Sequence, residues 1–189
     1  VPSVDDGVGG GTGVAHYGQY RGQEYKGGQH NTQGPFKGHP EKGAKKAEII
    51  LRRLKYDTKT IKTVTTLIKY HDHEFRSRQD IKKVMSMIGA ELFFTLIDVQ
   101  YADGVSKKEQ YTSPINDLTW VKEQAEDILR KHECLSIREL DINGNQLEAE
   151  GYSGAQIGIL LKSMLNAVLE DKLNNSCSEL LEYAKKITK

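Results

Sequence analysis

Apolar residues fall at helical spacing over most of the chain. From His39 to Leu54, Ala44, Ala47, Ile50, Leu51 and Leu54 recur three and four apart, as on an amphipathic helix. Asp57 is placed to cap a second helix running to about His71, with Ile61, Val64, Leu67 and Ile68 on one side. Ser77 or Asp80 starts a short helix ending near Gly89, and a strongly apolar one follows from Glu91 to about Ala102. Pro114 suits the first turn of a helix reaching about His132. A short piece at 136–140 leads into a turn at DINGNQ, where Asn143-Gly144 is a turn dipeptide. Two last helices are expected at 154–173 and 178–187. No segment keeps the strict alternation of a half-buried strand, and no repeat of fixed period occurs. The pattern predicts an all-α fold: a bundle of six or more helices.

The first 34 residues break this texture. They hold 10 of the 18 glycines and no Leu, Ile, Met or Phe. Such a stretch cannot bury enough apolar surface to offset the entropy of ordering it. The expected organisation is a Gly-rich linker or degenerate segment at 1–34, a helical domain at 35–132 and a helical part at 133–189. Over the whole 189 residues, 37% apolar and 28% charged residues suit a soluble domain with a core. The apolar runs are too short for a membrane-spanning helix. Cys134 and Cys177 lack metal-ligand spacing and make no disulfide scaffold, so a reducing, cytoplasmic setting is expected. A chain opening on Val1 reads as a fragment or a processed product.

Charge is distributed unevenly although it sums to only +1. Residues 1–34 balance at −1, residues 35–71 at +7 (10 basic against 3 acidic), and residues 72–189 at −5. A phosphate-binding surface therefore belongs between Pro35 and His71. Lys42, Lys45, Lys46, Arg52 and Arg53 crowd the first helix, and Lys42, Lys45, Lys46 and Arg53 share a face opposite the Ile50–Leu54 side. Few aromatics interleave with them, which favours contact with backbone phosphates over stacking on bases. A solvated helix face is the plain alternative.

Three polar groups stand at suggestive places: His39 in GHPEKGA, His71 in YHDHE, and Asp103 after the apolar helix in LIDVQYAD. Imidazoles and carboxylates converging from separate helices of a bundle can hold a divalent ion. The ordinary reading of each is a cap or a surface residue.

GHPEKGAKKAEIILRRLKYD, LIKYHD and IGAELFFTLIDVQYAD, in that order, resemble the HD-type helical body of bacterial tRNA nucleotidyltransferases, the CCA-adding enzymes. The resemblance implies His39, His71 and Asp103 at three of that family's metal-site positions, with a divalent ion such as Mg, Mn, Fe or Ni as possible cofactor. The family's central His-Asp doublet would lie upstream, where His16 is followed by Tyr17. Without the doublet's aspartate the implied site is degenerate. Further on, LSIRELDINGNQLEAEGYSGAQIGILLKSMLNAVLEDKLNN resembles the family's tail-proximal motif, with Gln146 where an Asp is usual. Gly151 and Gly154 there permit positive φ and close backbone approach, and the helix start after Gly154 can meet an RNA phosphate. Gly158 is alternatively a close helix-packing residue.

The resemblance implies a tRNA partner, read by shape at its acceptor stem or elbow, with Asn145 and Gly154 joining the basic helix. It also implies a nucleotidyltransferase domain N-terminal to this region, or a homo-oligomer. No strand-like segment carries the Asp-x-Asp pair that would hold two metals for nucleotidyl transfer. Three functions stay open: a tRNA-binding module, a metal-dependent phosphohydrolase on phosphoesters using His39, His71, Asp103 and His16, and an inert helical scaffold.

Overall fold

The computed structural model describes residues 39–106 and 113–188. Among them are eight α-helices and no strand, so the all-α expectation holds. The helices are α1 (His39–Arg53), α2 (Thr58–Tyr70), α3 (Arg78–Ile88), α4 (Ala90–Ser106), α5 (Ser113–Arg130), α6 (Gly144–Ala149), α7 (Ala155–Leu169) and α8 (Cys177–Ile187). A 3₁₀ turn, Ile137–Glu139, precedes α6. No single described helix is long and apolar enough to cross a membrane.

Local chemistry explains most boundaries. Asp57 caps α2 by accepting from the Thr60 amide at 2.9 Å, and Ser77 caps α3 through the Asp80 amide. Gly89 ends α3 at φ 85°, its N–H donating to the Met85 carbonyl. The expected turn at DINGNQ is instead the start of α6. Asn143 is its N-cap, accepting from the Gln146 amide at 3.1 Å, and the Gln146 side-chain oxygen accepts from the Asn143 amide at 2.9 Å. This reciprocal box needs only a carbonyl oxygen at residue 146, which an amide supplies as well as a carboxylate.

Two clusters of buried side chains form within residues 36–189. Ile81, Val84 and Met85 of α3 pack with Phe93, Leu96 and Ile97 of α4 and Val121, Ala125 and Ile128 of α5. Phe93 is wholly buried, with Phe75 and Phe94 edge-on to it at 5.3 and 6.1 Å. The second cluster joins Leu140, Ile142 and Leu147 to Leu160, Met164 and Val168 of α7 and Leu180 and Ala184 of α8. Much of the tail-proximal motif is thus core: Leu140, Ile142 and Leu147 are buried and Ile157 packs against them.

The clusters meet where α3 crosses α7. Lys82, only 3% exposed, bonds Asp171 just past α7 and lies 3.4 Å from Glu133 just past α5. Arg78 bonds Asp127, Glu133 and Gln124, and Lys83 bonds Glu170 at 2.5 Å. The carboxylates sit at the C-terminal ends of α5 and α7 and the cations on α3, so one basic helix face ties both helix ends together.

Candidate functional site

The basic first helix lies on the outside. α1 packs chiefly on α2, through a side that includes Gly43, Ala44, Ala47 and Leu51. Gly43 makes the approach possible, because a Cβ there would lie 3.2 Å from Ile68 Cγ2. Lys42, Lys45, Lys46, Arg52 and Arg53 are all exposed. Arg52 is held on its own helix by Glu48, with Nε and Nη2 donating to one carboxylate oxygen at 3.0 and 2.8 Å. Lys42, Lys45, Lys46 and Arg53 therefore form the outward cationic group, within about 100° of helix surface.

The apolar stripe of α1 differs from the expected one. Ile50 and Leu54, read as its buried side, are 47% and 58% exposed. Ile49 is 68% exposed in the middle of the cationic face. The reason is positional. Among the described residues α1 packs chiefly on α2, so the side bearing Gly43, Ala47 and Leu51 is the better covered one. Periodicity registers an apolar stripe but not how much of it another element reaches.

His71 and Asp103 come together. Both line one cavity of ≈ 330 Å³ with Val64, Leu67 and Ile68 of α2 and Val99 of α4. Asp103 lies within α4, which runs on to Ser106, rather than after it. His71 caps the end of α2, its Nδ1 donating to the Ile68 carbonyl at 2.6 Å. His39 is the first residue of α1, and His16 lies outside the described residues. Two donors on one wall do not make a metal centre. Among the described residues no group of three or more His, Cys, Asp or Glu side chains is arranged to hold an ion, so no step is derived through one.

A larger cavity, ≈ 730 Å³, escaped the sequence reading. It is lined by Glu41, Tyr70, Asp72, His73, Arg76 and Asp80, among others. His73 Nε2 lies 3.2 Å from Asp80 Oδ2, and its ring sits edge-on to Phe75 at 4.8 Å. Both histidines of the run YHDHE are half-buried, each on a different cavity. Gln100, from α4, donates to the carbonyls of Tyr70 and His73 at 3.1 and 3.0 Å, which fixes the loop after α2.

At the other end, Asn145 is exposed in the first turn of α6. Gly154 is the N-cap of α7 at φ 56°, ψ −133°, and Gly151 has φ 92°. An L-residue is strained in either conformation, as the spacing of glycines suggested. Gly158 corrects the packing alternative. It is exposed, and a Cβ there would meet nothing within 4 Å.

A family model described as tRNA nucleotidyltransferase domain 2 matches residues 41–184. No curated protein matches the chain. No solved structure matches it either.

Proposed function

The chain belongs to the tRNA nucleotidyltransferase family, and from that premise we propose that it is the tRNA-holding helical body of a CCA-adding-type enzyme. In this reading nucleotidyl transfer is carried by a separate N-terminal catalytic domain. The observation that carries it is the outward face of α1, where Lys42, Lys45, Lys46 and Arg53 stand exposed on one helix side. Cations so arranged neutralise backbone phosphates of a duplex such as the acceptor stem or elbow and release the counterions condensed there. Such contacts fix register on the RNA without reading sequence. The start of α7 supports a second contact. Gly154 and Gly158 expose backbone with no side chain above it, and first-turn amides of a helix favour a phosphate. Asn145 adds an exposed amide on α6.

The test is tRNA binding across a salt series. With four phosphates neutralised, raising salt tenfold weakens binding by roughly three orders of magnitude. Replacing Lys45, Lys46 and Arg53 by Ala flattens that slope and leaves the helical signal unchanged, because all three are exposed. Unchanged affinity in the triple variant overturns the assignment to α1.

The same reading predicts that this chain alone incorporates no CTP or ATP into tRNA, since it has no strand-borne Asp-x-Asp. Template-independent addition by the purified chain contradicts it. The phosphohydrolase reading has one observation in its favour, the shared cavity of His71 and Asp103. Tyr17, in place of the doublet's aspartate, stands against it.

A further inference from the structure

The turn between α1 and α2 combines a ring held out in water with a local excess of cations. α1 ends in a paired backbone closure. Lys55 takes φ 58°, its N–H donates to the Arg52 carbonyl at 3.0 Å, and the Tyr56 N–H donates to the Leu51 carbonyl at 3.0 Å. One residue on, Asp57 opens α2 as its N-cap, its carboxylate accepting from the Thr60 amide and hydroxyl at 2.9 and 2.5 Å. The backbone of Tyr56 is thus fixed from both sides. The residue is nevertheless 52% exposed, and Leu54 just before it is 58% exposed.

Between Arg52 and Lys62 the chain holds five basic residues against one acidic, Asp57, a balance of +4. Asp57 is occupied by its cap. Lys55, Lys59 and Lys62 are exposed, and Lys59 and Lys62, three apart on α2, share a side. Other exposed aromatics stand in different company. Tyr101, also 52% exposed, lies on α4, which has three acidic residues and no Lys or Arg. Trp120, 38% exposed, has Asp117 and Glu123 against Lys122 around it.

We propose that Tyr56, with Leu54 beside it, is a stacking platform for an unpaired nucleotide of RNA, whose flanking phosphates meet Lys55, Lys59 and Lys62. A ring face takes the base whatever its identity, and lysines beside it take the backbone. A purely apolar protein partner would cover Leu54 and Tyr56 and leave the lysines unanswered; a nucleotide brings its anion with its ring. The proposal rests on the RNA-holding reading above and adds a single-stranded contact to it. α1 has no Phe, Tyr or Trp, which suits it to duplex backbone, whereas the turn past its end suits a base that has left the stack. The three lysines used here are not those of the α1 face, so the two contacts are separable.

Fluorescence anisotropy on the full chain compares two RNA hairpins, one blunt-ended and one with a short single-stranded 3′ extension. The extended hairpin is expected to bind more tightly, and Tyr56→Ala to weaken it about tenfold while leaving the blunt hairpin unchanged. Tyr56→Phe keeps the original affinity, because the ring and not the hydroxyl makes the contact. With 5-iodouridine in the extension, ultraviolet light is expected to join the RNA to Tyr56, read by mass spectrometry of the digested protein; this measurement needs no variant. Equal binding of the two hairpins overturns the platform and leaves the duplex assignment standing. An extension preference that survives Tyr56→Ala, or is lost equally in Tyr56→Phe, overturns it as well, and so does a crosslink that forms only elsewhere. A short single strand that binds through Tyr56 while the blunt hairpin does not bind keeps the platform and removes the duplex assignment. Binding of no RNA removes both.

Discussion

Lys82 is the residue whose position departs furthest from ordinary behaviour. An ammonium group is seldom buried unless paired, and Lys82 is paired with Asp171 and approached by Glu133. Both acids keep other partners, Gln79 for Asp171 and Arg78 for Glu133, and both keep some contact with water. Removing the cation while keeping its stem therefore leaves no isolated buried charge. Lys82→Met is expected to cost about 1 kcal/mol, and Lys82→Ala, which also opens a cavity, about 3 kcal/mol, by urea denaturation. Equal costs for the two would show that the charge, not the stem, carries the stability. Sequence could not disclose this residue. In RQDIKKVMSMI, Lys82 and Lys83 are neighbours of the same type, and only the crossing of α7 buries the first and leaves the second near the surface. Ile50 and Leu54 mislead in the same way, since both lie on the apolar stripe yet are 47% and 58% exposed.

At the scale of the helix, starts were more legible than ends. Asp57, Ser77 and the glycine at 154 announced their helices, because caps and positive-φ positions restrict the residue type. The ends of α1, α5 and α7 used no glycine. Lys55, His132 and Asp171 take positive φ of 58°, 51° and 56° there. Each closes its helix with paired backbone bonds, such as Lys172 N–H to the Ala167 carbonyl at 2.9 Å and Asp171 N–H to the Val168 carbonyl at 3.1 Å. With no glycine to mark the stop, α7 was expected to reach Leu173 and ends at Leu169. α6 was missed because a six-residue helix opening on Asn-Gly shares its composition with a turn. Gly158 yields the test at this scale. Lying inside α7 with open space around it, it weakens the helix without serving packing. Gly158→Ala is expected to stabilise the fold by about 0.5–1 kcal/mol in a thermal melt. A simultaneous fall in tRNA affinity would mark this surface as one the RNA backbone approaches closely; unchanged affinity would confine RNA contact to other residues.

For the molecule as a whole, the helical class and the basic N-terminal face could be read from the chain, but the joint between its two clusters could not. That joint is built from charges forty to ninety residues apart, Arg78 to Asp127 and Lys82 to Asp171, and such pairs leave no periodic trace. Carboxylates at its edge, held mainly by neighbours on their own segments, shape how the fold responds to acid. Asp127 is held at about 2 rather than 3.8, chiefly by its hydrogen bond from Lys131, with Arg130 and Arg78 adding to the effect. Glu170 is held at about 2 rather than 4.5 by Lys172 and Lys83. A carboxylate whose folded pKa is depressed binds protons less readily folded than unfolded. Its stabilising effect is complete above the unfolded pKa and is lost as pH falls toward the folded one. Stability should therefore be flat from pH 7 to about 5, then decline steadily between about pH 4.5 and 2. Because both carboxylates contact solvent, added salt should shallow the decline. Asp127→Asn with Glu170→Gln should lower stability at pH 7 and remove part of the acid slope. Urea midpoints taken at half-unit pH steps would show it. A slope unchanged in the double variant would assign the acid response to other carboxylates.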